Sequence, residues 1–406
     1  MIRIKNPPTV ILFLAILQVL CSTYFLYIPH FFAVNSLLFL ISGFGISICL
    51  LVTPAIKIEP RAILNKQLLF KLLIIAVLLP LSYQLARHVM DQNPLRIENA
   101  DMLPIMRTMG QRFWNGQWKQ VYQPIPEIWN GIQPIYLPAM WLPFSLSLVF
   151  DFDIRWITLC GIWLSVIICV LPAWRKSWLV IAWVIALLAL LAWLHTDEDN
   201  NVIKFTEEGI VFFYYAVLTV AIILFDPWLL GISIALCLLS RYSFIGWLPF
   251  AILFLWATKQ YKLLLKTIGA VLFVVVVLLI LPFGISPMWY HLHLQQDYIS
   301  QAKRVWHDNP EFYYHSLGMA KFFGPNHIML LHFVLIVGTF LIPILFFFLM
   351  KKRILATSNM LLAGFQLSIS FFYSFLDISY LYLFYTPVVV SLVIAGWTFS
   401  SQGMRD

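Results

Sequence analysis

The chain has 406 residues, 62% of them hydrophobic and only 11% charged, with a formal net charge of +8 and a mean hydropathy of +0.87. A soluble domain carries about 25% charged residues, so a globule of this composition could not cover its surface with polar groups. That excludes a soluble enzyme and points to a chain whose solvent is lipid.

In chain order, apolar runs predict spans at 9–28, 31–53, 68–86, 154–172, 177–194, 208–225, 227–240, 243–257, 264–284, 327–350, 356–376 and 379–399, because about 20 apolar residues cross a bilayer. The first run follows Arg3 and Lys5 as a signal peptide would, but small residues at cleavage-site spacing are missing, so it reads as a retained helix. The run 134–150 contains Pro134, Pro138 and Pro143. Each removes a backbone donor, which predicts an interfacial or re-entrant segment and not a further crossing. Cys21, Cys49, Cys160, Cys169 and Cys237 all lie inside apolar runs without metal-ligand spacing and read as packing residues. No internal repeat is present. The expected fold is all-α: one polytopic membrane bundle of about 12 spans, with interfacial helices in two large outer loops.

Positive charge distinguishes the two faces. With the N-terminus inside, the inner segments hold Arg3, Lys5, Lys57, Arg61, Lys66, Lys71, Arg175, Lys176, Lys259, Lys262, Lys266, Lys351, Lys352, Arg353 and Arg405. Only Glu59, Asp226 and Asp406 oppose them. The net positive charge is therefore a topology signal, and no basic stripe suggests a nucleic-acid partner. Two long outer loops remain, 87–133 and 285–326, and long ordered loops usually carry function.

In the first outer loop, Asp101 precedes Met102, Ile105, Met106, Met109 and Phe113, the spacing of a helix with one apolar face. The helix should stop at Asn115-Gly116 and lie flat on the membrane, with Arg107 and Arg112 facing headgroups. Asp101 reads either as the N-cap of this helix or as a working carboxylate. Glu98, three residues earlier, reads either as a solvated loop residue or as a second carboxylate for the same spot.

This order of features resembles the first outer loop of glycosyltransferase family 87, in the GT-C group of polytopic transferases that use polyprenyl-phosphate sugars. The features are an acidic residue, an amphipathic helix, Asn115-Gly116-Gln117-Trp118, Tyr122, the element Tyr136-Leu137-Pro138 and Pro143. The likeness extends to Ser240-Arg241-Tyr242 and Ser316-Leu317-Gly318, and it departs at Leu137, where the family usually has proline. It implies a GT-C-like bundle in which Asp101, with Glu98 in reserve, takes the proton of an acceptor hydroxyl. Trp118 and Tyr136 would then contact substrate. The implied donor is a polyprenyl-phosphate sugar, and the acceptor a lipid-linked or envelope glycan. The implied setting is a bacterial inner membrane with the site facing outward, and no cofactor is called for.

Arg241 lies between two apolar runs, where its fork of donors suits a lipid phosphate. The other reading is a snorkelling residue or the partner of a loop carboxylate. In the second outer loop, Lys303, Arg304, His315 and Ser316 are candidate substrate contacts, set among aromatic residues that also suit a membrane interface. His291 and His293 do not make a supported metal site. Asp151-Phe152-Asp153 looks like a metal–nucleotide motif but lacks a preceding βα unit, and reads as a polar break. Asp197-Glu198-Asp199, with Glu207 and Glu208, reads as a solvated loop, with a cavity rim or cation site as the other reading. Asp377, Tyr380, Tyr382 and Tyr385 are candidate cavity-lining residues. The expected activity is inverting glycosyl transfer. The alternatives are a transporter or lipid flippase, and a glycan polymerase or ligase.

Overall fold

The computed structural model describes residues 6–54, 56, 66–98, 100–129, 131–172, 178–197, 202–293, 295–350 and 358–400. Of the residues used to orient the chain, Arg3, Lys5, Lys57, Glu59, Arg61, Arg175, Lys176, Lys351, Lys352, Arg353, Arg405 and Asp406 lie outside this description, as do Glu198 and Asp199.

The first half of the chain forms α1 (Pro7–Ser22), α2 (Phe32–Val52), α3 (Lys66–Gln92), α4 (Met102–Trp114), α5 (Pro138–Val149), α6 (Arg155–Val170), α7 (Trp178–Thr196), the single turn α8 (Val202–Phe205), α9 (Glu208–Leu224) and α10 (Pro227–Leu238). The second half forms α11 (Trp247–Ala257), α12 (Tyr261–Val275), which continues through a π turn into α13 (Leu281–Phe283), α14 (Ser286–His293), α15 (Gln295–Asp308), α16 (Glu311–Tyr314), α17 (Ala320–Phe323), α18 (Ile328–Met350), α19 (Ser358–Ser374) and α20 (Tyr385–Ser400). Among the described residues there is no strand, only an isolated bridge between Ile125 and Ile132.

Each of the twelve predicted runs carries a helix. Six helical stretches are long and apolar enough to cross a membrane: Phe32–Val52, Lys71–Gln92, Trp178–Thr196, Tyr261–Phe283, Pro325–Met350 and Leu381–Phe399. Others are shorter. At 1.5 Å per residue, α10 and α11 reach roughly 16–18 Å, against a hydrocarbon core of about 30 Å. The stretch ending in α20 is 94% buried and forms the middle of the bundle, whereas those of α3 and α12 are 17% buried and present apolar side chains outward. Only a lipid-like solvent accommodates that arrangement.

Helices approach most closely where side chains are small. Gly161 of α6 faces the backbone of Gly209 in α9, and a Cβ on Gly209 would strike the Thr158 carbonyl. This contact places the first turn of α9 against α6. Gly246 meets the Thr339 carbonyl in the same way, and Thr339 is the residue whose helical partner would have been the missing N–H of Pro343 in α18.

The run 134–150, expected to be interfacial or re-entrant, carries a helix over most of its length. Pro138 starts α5, where its missing N–H is harmless, and the helix runs through Pro143. The carbonyl that Pro143 leaves without a helical donor, that of Ala139, accepts a hydrogen bond from Tyr214 Oη at 3.0 Å instead. The apolar face of α4 is likewise not left to the bilayer. Met106, Met109 and Gly110 are buried, and Gly110 packs against Ser145 of α5.

Gly209→Ala should lower the thermal stability of the purified protein by about 1–3 kcal/mol, the usual range for overpacking a tight contact. Gly269→Ala in α12, where an added Cβ meets nothing within 4 Å, should be neutral or mildly stabilising. Thermal melts of both variants in detergent check the pair.

Candidate functional site

The site is assembled around the start of α9. Glu207 and Glu208 stand side by side there and both are fully buried, which overturns their reading as solvated loop residues. A helix N-terminus favours carboxylates, but two in one dry place require a cation. Arg241, on the turn between α10 and α11, supplies it: Nη2 donates to Glu207 Oε1 at 2.7 Å and also to Glu208 Oε1. The α9–α10 hairpin explains the meeting, since the chain leaves along one helix and returns along the next to the same level. Tyr215 Oη donates to the Arg241 carbonyl at 2.5 Å and lies 2.6 Å from Ser243 Oγ, which donates to Tyr373 Oη at 3.1 Å. Thr386 Oγ1 donates to the second oxygen of Glu208 at 3.4 Å.

Arg241 keeps 27% of its side chain exposed while its two partners keep 1% and 0%. The guanidinium is therefore closed on its carboxylate side and open on the other. Among the described residues, Arg241 Nε and Glu207 Oε2 are buried polar atoms with no hydrogen-bond partner.

Asp101, just ahead of α4, acts on this cluster electrostatically. It occupies the N-cap position of α4, but with helical backbone angles (φ −92°, ψ −20°) and no capping hydrogen bond from its side chain. The N-cap reading thus describes its place and not its bonding. Burial pushes its carboxyl above the ordinary value, against the opposing pull of its own backbone N–H and the Trp129 indole N–H. Its charge acts on Glu207, Tyr136 and Tyr380. Tyr136 also feels Arg241, so Asp101 and Arg241 share one electrostatic neighbourhood. Burial, followed by the charges of Glu207 and Asp101, holds the Tyr136 phenol well above its usual range and keeps it a hydrogen donor. Tyr382 stacks on Tyr380 with ring centroids 5.6 Å apart, donates weakly to Met102 Sδ at 3.7 Å, and feels Glu207 and Arg241.

The helix stop after α4 is where the sequence places it. Gln117 N–H bonds the Arg112 carbonyl at 2.8 Å and Gly116, at φ +73°, occupies the left-handed position. Arg112 does not face headgroups: it donates to the carbonyls of Gln120, Gln123 and Pro124 and folds the loop over the helix end.

The other sequence candidates are not gathered here. Glu98 is exposed and makes no hydrogen bond or ion pair with a described residue. Trp118 stacks on Phe113 and donates to its carbonyl at 3.1 Å. Lys303 and Arg304 are exposed on α15. His315 stacks on Phe32 at 4.4 Å and lies 3.1 Å from Glu311, while Ser316 is buried and bonds within its own turn. Asp377 pairs with His332 at 2.6 Å, and Asp197, also buried, accepts from Tyr27 Oη at 2.7 Å. Among the described residues, no group of three or more His, Cys, Asp or Glu could hold a metal; the side chains of His291 and Asp297 lie outside that description. The glutamates were the residues that sequence reasoning undervalued. The available signal was their position, two acids directly before an unbroken apolar run.

The arrangement offers a carboxylate with raised proton affinity, phenols that donate, and a guanidinium with one free side. Together these can orient a hydroxyl and take its proton. Compared with protein-family models, curated proteins and solved structures, the chain matches none.

Arg241→Leu should destabilise the protein by about 3–5 kcal/mol, because it leaves two carboxylates buried without a counter-ion. Replacing Glu207 and Glu208 by leucine in the same background should recover most of that loss. Denaturation midpoints of the single and triple variants test the pairing.

Proposed function

We propose that the chain is a membrane glycosyltransferase of GT-C type. In this reading about twelve helices cross or enter the membrane, and the site faces outward from a bacterial inner membrane. A sugar moves with inversion from a polyprenyl-phosphate donor to a lipid-linked or envelope glycan. The observation that carries the proposal is the setting of Asp101: half-buried, without a capping bond, and in the electrostatic neighbourhood of Tyr136, Glu207 and Arg241.

The mechanism follows from those residues. Asp101 accepts the proton of the acceptor hydroxyl as its oxygen attacks the anomeric carbon, and its raised proton affinity makes it a better base than an ordinary carboxylate. The bond from that carbon to the donor phosphate oxygen breaks, and negative charge grows on the phosphate. The open side of Arg241 meets that charge, while Glu207 and Glu208 fix the guanidinium's orientation. Tyr136 and Tyr382 are placed to donate to substrate oxygens. Trp118, Lys303, Arg304, His315 and Ser316 make no hydrogen bond, ion pair or ring contact with this cluster, and in this reading they act on the remoter parts of the substrates.

A transporter or flippase would carry its ionisable residues along the middle of its spans. Among the described residues, those of this cluster sit at helix ends, which favours the enzyme.

Asp101→Asn should reduce lipid-phosphate release from a panel of polyprenyl-phosphate sugars by roughly 10²–10⁴-fold, the usual worth of a general base. The fold should survive. A carboxyl whose proton affinity is raised by folding destabilises the protein once pH climbs past its value, so the neutral amide should leave the melting temperature at neutral pH unchanged or higher. In the wild type, kcat/KM should rise with pH through a value above the ordinary carboxylate range and then level off. Full turnover in the Asn variant would remove Asp101 from the chemistry, and turnover that required a nucleotide sugar would remove the donor.

A further inference from the structure

A cleft of about 410 Å³ lies between α4 and the turn joining α5 to α6. Arg107, Ser147, Asp151, Asp153 and Arg155 line it, with Leu148 among its apolar residues. Two of these charges are already committed. Arg155 donates to Asp153 through Nε and Nη2 at 2.6–3.2 Å, and its remaining donors hold the Met90 and Asn93 carbonyls at the end of α3. Burial raises the proton affinity of Asp153, but the hydrogen bonds and charge of Arg155, with the charge of Arg107, outweigh it and leave the carboxylate below its ordinary value. That pair closes the floor of the cleft.

Arg107 and Asp151 are different. Both are exposed, they come from opposite walls, and neither makes a hydrogen bond or ion pair with another described residue. Asp151 also occupies an unfavourable backbone position. It has φ +50° directly after the C-cap of α5, and Phe152 N–H closes the cap on the Ser147 carbonyl at 3.2 Å. Glycine is the usual residue there, so the carboxylate is what aspartate adds to the turn. Beside it, Leu146, Val149 and Phe150 are exposed apolar side chains at the same helix end, a surface suited to acyl chains. The charges that line the cleft, Arg107 and Arg155 against Asp151 and Asp153, sum to zero, so it suits neither a simple anion nor a simple cation.

We propose that this cleft binds the head group of a phospholipid bearing a primary ammonium, with its phosphate on Arg107 and its ammonium on Asp151. Arginine matches the phosphate with a fork of donors. Only an ammonium that retains N–H bonds can donate to Asp151, which separates phosphatidylethanolamine from phosphatidylcholine. The site shares no residue with the Asp101 cluster and does not depend on the transferase reading.

The test uses the full-length protein in detergent with equimolar phosphatidylethanolamine, phosphatidylcholine and phosphatidylglycerol of identical chains, and counts retained lipid by native mass spectrometry. The wild type should retain phosphatidylethanolamine roughly tenfold over the other two, the scale of one charge-assisted hydrogen bond. Asp151→Gly keeps the helix cap and should erase that preference, whereas Arg107→Gln should lower retention of all three. Equal retention of the three lipids by the wild type would overturn the proposal. So would an unaltered preference in Asp151→Gly. Lipid retention is read without turnover, so a failed transferase assay leaves this result intact.

Discussion

Two carboxylates cannot stay ionised side by side in a dry helix bundle without a cation between them, and at Glu207 and Glu208 that cation is Arg241. Much of the surrounding architecture follows from meeting this condition. The α9–α10 hairpin brings position 241 back to the level of position 207, and the Gly161–Gly209 contact sets the first turn of α9 against α6. Behind the arginine, a relay of hydroxyl groups through Tyr215, Ser243 and Tyr373 connects its backbone to α19. Thr386 ties Glu208 to α20, in the most buried part of the bundle.

The same pairing shapes the chemistry. An unpaired arginine at a helix break would swing between solvent and lipid headgroups. Held by two acids, it presents one fixed, partly exposed side, where Tyr136 and Tyr382 also gather. Arg241 is shared between two acidic partners, so the cluster with Asp101 holds more carboxyl groups than cations. It suits abstraction of a proton from a neutral hydroxyl better than simple capture of an anion. That balance is why the proposed mechanism rests on Asp101 first and on Arg241 second.

The segment around α4 illustrates how a local motif acquires its role from its neighbours. The helix of α4, its stop at Asn115-Gly116 and the acid before it all follow from short-range rules. What those rules leave open is which way the acid faces. The Asp101 side chain makes no capping bond and instead accepts from the Trp129 indole, 28 positions later, and α5 packs against the apolar face of α4. Pro143 passes through α5 without breaking it because Tyr214, from α9, replaces the lost hydrogen bond.

The sequence by itself determined that this protein is an all-helical membrane bundle, where its long apolar helices lie, and that an acid stands ahead of an amphipathic helix at 102–114. These are properties of hydropathy and spacing over a few turns, and burial in lipid rewards them locally. Only the tertiary structure decided that Glu207 and Glu208 are buried, that Arg241 is their partner and that Asp101, at the N-cap position without a capping bond, shares their electrostatic neighbourhood. Those facts depend on groups tens to hundreds of positions apart meeting in a medium of low dielectric. There the energy of a charge is set by its nearest partner in space, which no local pattern specifies.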